Sequence, residues 1–493
     1  MDKIEKENSY SRILKYTGIF GGVQGLNILI GIARNKFSAI LLGANGMGLV
    51  ALFNSTINMI VSATNFGIPT SGVQVISSKY QSQSDQLSAS IKSIRSWSLL
   101  TALLGSLICI LFSPYLDKLT FTWGNHVLHF ILLSPVVGLT ILASGEMAVL
   151  KATRQLKSLA SSSLLVIALS LVISVPIYYF WNQKGIIAVF VFQALAQCLA
   201  TFRYSLRFYP YSVSLSPKFL KNGIHIIKLG TAFVIAGLLN AGAEFMIRTF
   251  INNVDGLDEV GFFNAGWTLA VVYAGLVFSA MDADYYPRLS SITDSITEQN
   301  DCVNKQIEMN VLLVTPILTL MLIGLPIGIP LLYDSEFSVI LRMTQLALVS
   351  MLWKAIYIPI EYLPLSKGQS WVFLIQESGC VILLIACEIA GYHYLHLNGL
   401  GLGILVAYFL ETIGVLVYSK SYYSFRLSRK VVMTFFPQAM FLAGTVVWIF
   451  MDVSAWCYWL IGIVYAAAHL SFTLHQLKKK TNVLDILTRK LRK

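Results

Sequence analysis

Long apolar runs separated by short polar segments are the dominant pattern along this chain. Most runs are close to the roughly 20 residues that a helix needs to cross the hydrocarbon core of a bilayer. Several are longer, which indicates tilt or an interfacial extension. The pattern predicts an all-α polytopic membrane protein with about fourteen transmembrane helices. The predicted runs are 13–42, 46–73, 96–116, 127–150, 159–181, 186–203, 227–251, 260–281, 308–333, 338–363, 371–391, 399–419, 432–452 and 455–474.

Composition agrees with a membrane protein and indicates which partners and sites are to be expected. Of 493 residues, 56% are hydrophobic and 12% are charged, whereas soluble domains have about a quarter of their residues charged. The net charge of +12 is typical of a membrane protein with basic cytoplasmic loops, so we expect no nucleic-acid partner. The six cysteines show no metal-ligand spacing, and neither a metal site nor a disulfide framework is expected. The first apolar run is too long for a signal-peptide core and should stay uncleaved.

The distribution of lysine and arginine predicts the orientation. With the N-terminus in the cytoplasm, 29 of the 36 basic residues fall in inside segments, and Lys118 and Lys184 fall in outside segments. Cytoplasmic loops carry such an excess of basic residues. Both termini are therefore predicted to be cytoplasmic.

The helix pattern also repeats. Helices one to six and seven to twelve have similar lengths and the same long inside loop, at an offset of 213 residues, so that 48–78 lies over 261–291 without a gap. Because six is an even number, both repeats begin on the same side of the membrane and are therefore parallel. Parallel repeats occur in two-lobed transporters whose site lies between the lobes. The predicted divisions are an N-lobe at 1–225, a C-lobe at 226–431, an extra helix pair at 432–474 and a basic tail at 475–493.

Five cations are predicted at membrane depth. A charge there costs about 3 kcal/mol on insertion scales, so it normally faces a partner or a watery pathway. The repeat places Arg34 within one residue of the equivalent of Arg248, so each lobe would direct a cation to a shared cleft. Local pairing is the alternative for two of them, since Glu244 precedes Arg248 by one helical turn and Glu361 follows Lys354 by two. The five cations are Arg34, Lys36, Arg248, Arg342 and Lys354, of which Arg342 lies near an outer end and could be interfacial.

Uncharged polar residues and acids also lie within the runs. Asn54 and Asn58 are four residues apart and share a helical face, which suits either sugar hydroxyls or interhelical hydrogen bonds; Asn240 joins them as a candidate substrate ligand. Glu377 and Glu388 are the candidates for ion coupling. Two further intramembrane acids, Glu146 and Glu411, lie near inside helix ends, where water is expected to solvate them.

No catalytic motif is present in a suitable context. The chain has no Walker A sequence, Gly-x-Ser-x-Gly, His-Glu-x-x-His or dinucleotide fingerprint. The aqueous segments are too short for an enzyme domain. We expect neither catalytic residues nor a cofactor, and a cycle that does not hydrolyse nucleotide.

Three stretches resemble a known family. Gly-Ile-Ala-Arg-Asn-Lys-Phe-Ser-Ala-Ile-Leu-Leu-Gly-Ala-Asn-Gly-Met-Gly at 31–48 is similar to the opening signature of the polysaccharide flippases of the MOP (MATE-related) superfamily, the Wzx or O-antigen translocase group. Glu-Val-Gly-Phe-Phe-Asn-Ala-Gly at 259–266 and Tyr-Tyr-Pro-Arg-Leu-Ser-Ser at 285–291 are similar to later family stretches. The resemblance covers roughly residues 10–420.

This resemblance implies a two-lobed, V-shaped alternating-access carrier in the bacterial inner membrane. Its substrate would be an undecaprenyl-pyrophosphate-linked oligosaccharide, such as an O-antigen unit of lipopolysaccharide, moved from the cytoplasmic to the outer leaflet. The family's cavity cations fall on Arg34 or Lys36 and on Arg248, and the extra helix pair would border a groove for the polyprenyl tail. A polysaccharide polymerase and chain-length proteins would be partners. A lipid II flippase and a cation-coupled multidrug antiporter of the MATE type stay open as alternatives.

Overall fold

The computed structural model describes residues 2–79, 84–121, 123–292, 295–451 and 454–480. Within these ranges the chain forms helices and no strand. The part of the basic tail from 481 onwards lies outside them. The α-helices are α1 (Asp2–Thr64), α2 (Ile68–Lys79), α3 (Ser84–Thr120), α4 (Val127–Ala152), α5 (Leu156–Trp181), α6 (Ile186–Ser205), α7 (Pro217–Asp255), α8 (Leu257–Trp267), α9 (Ala274–Ser290), α10 (Ile296–Leu332), α11 (Leu341–Ser366), α12 (Ser370–Tyr423), α13 (Arg429–Phe450) and α14 (Ala455–Lys480).

Short helical segments of other types join some of these helices. Asn182–Gly185 and Ser335–Ile340 are 3₁₀ turns before α6 and α11, and Thr268–Tyr273 is a π-helical segment between α8 and α9. The predicted run at 260–281 therefore consists of α8, the π segment and the start of α9.

Ten helices of the described chain are long and apolar enough to cross a membrane. Two of them, Lys157–Ser205 and Ser370–Tyr423, each contain two of the predicted runs, and Leu29–Thr64 contains parts of two more. The prediction of a multi-pass, all-helical membrane protein is confirmed. The number fourteen and the parallel repeat stay predictions.

Breaks in the backbone divide the longest helices. Gly43 in α1 (φ 64°, ψ −175°) and His396 in α12 (φ 48°, ψ −134°) leave the helical conformation. Such positive φ values suit glycine and are uncommon for other residues. We call 370–395 the first arm of α12 and 397–423 its second arm.

The two arms of α12 form an antiparallel hairpin with touching backbones. A β-carbon on Gly391 would overlap the carbonyl oxygen of Gly399, and one on Gly399 would overlap that of Gly391. One turn further on, a β-carbon on Gly403 would lie 2.5 Å from the carbonyl oxygen of Cys387. Small residues permit such close helix crossings in membranes, so these glycines fix the register of the hairpin.

The chain divides into two compact units. The first contains the residues up to Gly261 together with Leu332–Asp334, and the second contains Phe262–Leu331 and the residues from Ser335. Helix α7 thus packs within the first unit, although the sequence analysis assigned 226–255 to the C-lobe. The predicted lobe boundaries stay a prediction.

In the first unit, α1 after its break runs antiparallel to α7. Gly67 approaches Gly230 so closely that a β-carbon on Gly67 would lie 2.5 Å from the carbonyl oxygen of Gly230. At the other end of the pair, a β-carbon on Gly48 would overlap the carbonyl oxygen of Leu257 at the start of α8. The two contacts set the register between α1 and α7.

A buried ion pair joins α3 to α4 in the first unit. Arg95 donates to both carboxylate oxygens of Glu146, at 2.7 and 3.0 Å, and to the carbonyl oxygens of Tyr209 and Pro210, at 3.2 and 2.6 Å. Arg95 is 3% exposed and Glu146 is 2% exposed. The expectation of water around Glu146 is therefore wrong. The pair attaches the segment after α6 to the ends of α3 and α4.

In the second unit, buried polar groups attach the C-terminal helix pair to α10. His469 of α14 lies 2.9 Å from the hydroxyl of Thr319 on α10 and 2.6 Å from the amide oxygen of Gln438 on α13. Thr315 donates to the same oxygen at 2.6 Å. The Phe441 ring stacks on His469 with centroids 4.5 Å apart. Helices α13 and α14 are thus held to α10 by hydrogen bonds as well as by apolar packing.

Removing Arg95 should destabilise the first unit strongly. In an Arg95→Met variant, Glu146 stays buried without its partner, which costs about 3–5 kcal/mol in comparable cases. The double variant Arg95→Met/Glu146→Gln should recover most of the lost stability, because no unpaired charge is left. The measurement is thermal unfolding of the protein purified in detergent.

Lys305→Met is the matched control for this experiment. It removes an ion pair with Asp301 (2.6 Å) whose side chains are 70% and 58% exposed, and exposed pairs contribute little to stability. Equal stability of wild type, Arg95→Met and the double variant would contradict the assigned role of the buried pair.

Candidate functional site

Arg34 and Lys36 lie before the break in α1 and are both half-buried. Arg34 donates to the side-chain oxygen of Asn35 at 3.4 Å. Lys36 donates to the carbonyl oxygen of Tyr333, within the same unit. The Arg34 contact is long and local, so its guanidinium keeps donors for a further acceptor. Lys36 has a structural acceptor, which makes Arg34 the better candidate for an anion ligand.

Arg248 on α7 forms the local ion pair that its spacing allowed. Its Nη1 lies 2.8 Å from a carboxylate oxygen of Glu244 and 3.2 Å from the Glu244 carbonyl oxygen. The Arg248 side chain is 7% exposed and that of Glu244 is 43% exposed. Glu244 is thus the more exposed residue of the pair, and an anion would contact Arg248 only by displacing or passing Glu244.

The candidate asparagines lie on α1 and α7. Asn54 and Asn58 are exposed on one face of α1. Asn240 is exposed and donates to the carbonyl oxygen of Ala236 at 3.1 Å. The first unit therefore presents exposed amides on both helices, together with the buried guanidinium of Arg248.

Lys354 on α11 is half-buried in the second unit. Its Nζ lies 5.2 Å from the centre of the Tyr408 ring, a cation–π distance. It also interacts electrostatically with Glu411 and with Glu361, which lies two turns along the same helix. Lys354 thus faces carboxylates within its own unit.

The two ion-coupling candidates lie on the first arm of α12. Glu377 interacts electrostatically with Glu361 of α11. Glu388 is 2% exposed and lies beside the close approach of Gly403 to the first arm. Glu377 therefore belongs to the group around Lys354, while Glu388 lies nearer the turn of the hairpin.

The sequence analysis did not predict that three side chains near Lys354 lie close together. The side-chain ligand atoms of Glu361, Cys380 and Glu411 lie within 4.8 Å of one another. Glu361 and Glu411 are each 8% exposed, so the expectation that water solvates Glu411 is wrong. The seven-residue spacing of Lys354 and Glu361 was a usable signal. The meeting of Cys380 with Glu411 depends on the register of the α12 hairpin.

The structure thus separates the candidate residues into two groups. Arg34, Lys36, Asn54, Asn58, Asn240 and Arg248 belong to the first unit, and Lys354, Glu377 and Glu388 belong to the second. The first group contains guanidinium and amide donors, which suit anions and hydroxyls. The second combines one ammonium with several carboxylates, which suits the exchange of small cations or protons.

Arg342 has structural partners. Its guanidinium donates to Gln345 at 3.2 Å and to the carbonyl oxygen of Ile449 at 3.3 Å, and it lies 4.2 Å from the centre of the Phe450 ring. These contacts join the start of α11 to the end of α13. These contacts explain why an arginine lies here, and no bound ligand is needed to explain it.

Several solved structures of transporters have folds similar to this chain. The lipid II flippase MurJ, in an inward closed conformation, matches with a TM-score of 0.70 and 12% identity, covering 93% of this chain and 99% of that chain. An inward-facing multidrug resistance MATE family transporter of the MOP superfamily matches with a TM-score of 0.68 and 14% identity, covering 81% and 94%.

A MOP superfamily transporter from Pyrococcus furiosus Vc1 (DSM3638) also matches. Its TM-score is 0.59 at 15% identity, with 84% of this chain and 95% of that chain covered. The reverse polarity of its binding pocket suggests a different function for that protein. At these identities the similarities establish the fold.

Sequence comparison identifies the family. No curated protein matches the chain. The family described as "Polysaccharide biosynthesis protein" matches residues 13–293, which is more than half of the chain and includes Arg34 and Arg248. The chain is therefore a member of the polysaccharide biosynthesis protein family, with the fold of the MOP superfamily transporters.

Proposed function

We propose that the protein is a flippase that moves an undecaprenyl-pyrophosphate-linked oligosaccharide across the bacterial inner membrane. The movement runs from the cytoplasmic to the outer leaflet, and an O-antigen unit or a similar surface polysaccharide is the cargo. The observation that carries the proposal is the group of donors on α1 and α7 of the first unit, within the region that matches the family.

The chemistry of these donors fits a lipid diphosphate attached to sugars. A pyrophosphate is bound best by cations in a shielded place, where arginine offers a planar fork of donors. Arg34 and Arg248 supply such forks at membrane depth. The exposed amides of Asn54, Asn58 and Asn240 suit sugar hydroxyls. Lys36 and Lys354 are further candidate ligands for the anionic part of the substrate.

Two alternative functions differ in substrate. A lipid II flippase would use the same kind of cationic site, and the fold shared with MurJ favours it as the second candidate. A cation-coupled multidrug antiporter needs carboxylates at its site, and the buried glutamates of the second unit keep it open. Neighbouring genes would separate these functions, since glycosyltransferases and a polymerase would indicate surface polysaccharide and cell-wall genes would indicate lipid II.

The charge asymmetry of the loops predicts that the segments at 74–95, 151–158, 204–226, 284–307, 420–431 and from 475 face the cytoplasm. The test uses single cysteines in a cysteine-free background and an impermeant thiol reagent applied to intact spheroplasts. Ser212→Cys, at an exposed position in an inside segment, should react only after permeabilisation.

Asp334→Cys, at an exposed position in a predicted outside loop, should react in intact spheroplasts and serves as the positive control. Ready labelling of Ser212→Cys in intact spheroplasts would overturn the proposed orientation.

Removing the arginines should abolish export while leaving the protein in the membrane. We expect Arg34→Ala and Arg248→Ala each to lose polysaccharide export at near-normal abundance, because the guanidinium groups bind the substrate. Lysine at either position should restore export only in part, since the planar fork is lost. The measurement is surface polysaccharide in a deletion strain carrying each variant.

The partner of Arg248 provides a sharper control. If Arg248 served only to neutralise Glu244, then Arg248→Ala/Glu244→Ala would restore export, because no unpaired charge is left. We expect no restoration. Arg342→Ala, which removes a cation with structural partners, should export almost normally. Wild-type export by both single alanine variants would exclude a substrate-binding role for these arginines.

The membrane potential should contribute directly to transport. An inside-negative potential favours outward movement of an uncompensated negative charge by about 2.3 kcal/mol per charge per 100 mV. Flipping in proteoliposomes under a potassium diffusion potential, with pH and sodium equal on both sides, should be faster for the inside-negative sign. We expect Glu377→Gln and Glu388→Gln to keep transport. Flipping rates that do not depend on the sign of the membrane potential, together with loss of transport in either variant, would instead indicate ion coupling through these carboxylates.

A further inference from the structure

A groove runs between the two arms of α12, in the half of the hairpin that is remote from its turn. It encloses about 360 Å³ and lies within the second unit. Ile375, which lines the groove, is 71% exposed, so the groove opens at the surface of a candidate membrane span. We call it the α12 groove. Its walls include Val372, Gln376 and Leu383 on the first arm and Leu410 and Tyr418 on the second.

Two glycines keep the α12 groove open. Gly379 of the first arm and Gly414 of the second both line it. A β-carbon added to either glycine would meet no heavy atom within 4 Å. Near the turn, by contrast, the backbones touch at Gly391 and Gly399. The arms are therefore in contact at the turn and separate towards their ends, and the space between the ends is not filled by side chains of the described chain.

The length of the groove matches an acyl chain of one leaflet. Val372 and Leu383 are about 16 Å apart along the first arm, and Leu410 and Tyr418 are about 12 Å apart along the second, at about 1.5 Å per helical residue. One leaflet supplies about 15 Å of hydrocarbon, which is half of a core about 30 Å thick. A phospholipid chain would therefore fill the groove from end to end. The much longer undecaprenyl chain of the proposed substrate would not be contained in it.

Gln376 supplies a polar contact at a defined depth in the groove. Its Nε2 and Oε1 atoms are buried and have no hydrogen-bond partner in the described chain. A buried amide without partners is costly, which favours a ligand that provides one. Gln376 lies about 9 Å along the helix from Ser370, where α12 begins. The headgroup layer is roughly 5–8 Å thick on each side of the hydrocarbon, so an ester carbonyl of a phospholipid lies near this level and can accept from Nε2.

The charges at the ends of the hairpin favour an anionic headgroup. The Nζ of Lys367 lies 5.1 Å from the centre of the Tyr423 ring. That ring packs on the ring of Tyr418, which lines the groove, with centroids 6.0 Å apart. No aspartate or glutamate occurs in 362–376 or in 412–451. Basic pockets between membrane helices bind anionic lipid headgroups. The further basic residues after the second arm are Lys420, Arg426, Arg429 and Lys430.

We propose that the α12 groove binds one anionic phospholipid from the leaflet in which both ends of α12 lie. This is the cytoplasmic leaflet in the predicted orientation. One acyl chain occupies the space beside Gly379 and Gly414, an ester carbonyl accepts from Gln376, and the phosphate lies near Lys367. The lipid thereby stabilises the part of the hairpin that the glycine contacts at the turn do not hold. The proposal does not depend on the transported substrate, so it and the proposed function can fail separately.

Native mass spectrometry of the delipidated, full-length protein tests the choice of lipid. Phosphatidylglycerol and phosphatidylcholine with identical acyl chains are titrated in parallel. Wild type should bind one phosphatidylglycerol more tightly than any phosphatidylcholine. Lys367→Gln should weaken the binding of phosphatidylglycerol about fivefold, because a lysine near anionic lipid contributes about that factor, and should leave phosphatidylcholine unchanged. Equal binding of the two lipids by wild type would overturn the proposal.

Leucine substitutions at the glycines test the location. Gly379→Leu and Gly414→Leu each place a side chain in the groove, from different arms, and each should lose the tightly bound phosphatidylglycerol. Gly328→Leu is the matched control, because Gly328 lies on α10 in the same unit and also has no heavy atom within 4 Å of an added β-carbon. It should bind the lipid like wild type. Wild-type binding by both groove variants would overturn the proposal.

Ester and ether lipids test the contact with Gln376 in the unmodified protein. Ether-linked phosphatidylglycerol has no carbonyl oxygen to accept from the amide, so wild type should bind it about two- to tenfold more weakly than the ester-linked lipid. Gln376→Leu should bind both forms equally. Equal binding of both forms by wild type would contradict the proposed binding mode.

Thermal unfolding provides a second measurement that needs no variant. A ligand that binds only the folded protein raises its melting temperature, so phosphatidylglycerol should raise that of delipidated wild type more than phosphatidylcholine does. The leucine variants are compared when they elute as wild type does. If a leucine variant does not fold, the wild-type melting and the comparison of ester with ether lipids still decide the question. No difference between the two headgroups in melting would count against the proposal.

Discussion

A charge in the membrane needs a partner, and that requirement explains the ion pairs of Arg95 and Arg248 in this protein. Hydrocarbon cannot solvate an ion, so an unpaired charge there is costly and a paired one is tolerated. The partners differ from place to place. Arg95 and Glu146 form a closed bidentate pair with almost no exposure, whereas Arg248 is paired with an acid that is itself 43% exposed. The closed pair is suited to holding helices together, and the open one is suited to exchanging its partner.

The two units use charge in different ways. The first unit has guanidinium groups and amides on α1 and α7, a combination of donors that favours anions and sugars. The second has more acid than base around Lys354. Family membership rests on residues 13–293, most of which lie in the first unit.

Much of the fold could be predicted because hydropathy is a local property. The apolar runs correspond to helices, and the four-residue spacing of Glu244 and Arg248 correctly indicated an ion pair. Contacts between distant runs could not be predicted in this way. Cys380 meets Glu411 only because the arms of α12 cross at Gly391, Gly399 and Gly403. One residue of slip in that register would rotate the two side chains away from each other.

Burial was the second quantity that the sequence did not reveal. Glu146 and Glu411 lie near helix ends, where a rule based on position expects water. Neighbouring helices cover both carboxylates, and at Glu146 the guanidinium of Arg95 from α3 takes the place of water. Position along a helix therefore does not by itself predict contact with solvent.

The touching backbones of the α12 hairpin have a consequence for biosynthesis. Two helices that are in register across a single-residue break can enter the lipid together, as one hairpin, and the polar groups of each arm are then shielded by the other during insertion. The hairpin brings Cys380 and Glu411 together before α13 and α14 have been translated. Cys380 and Glu411 would thus lie together as soon as the hairpin has formed, and α11 with Glu361, made earlier, would already be present to pack against them.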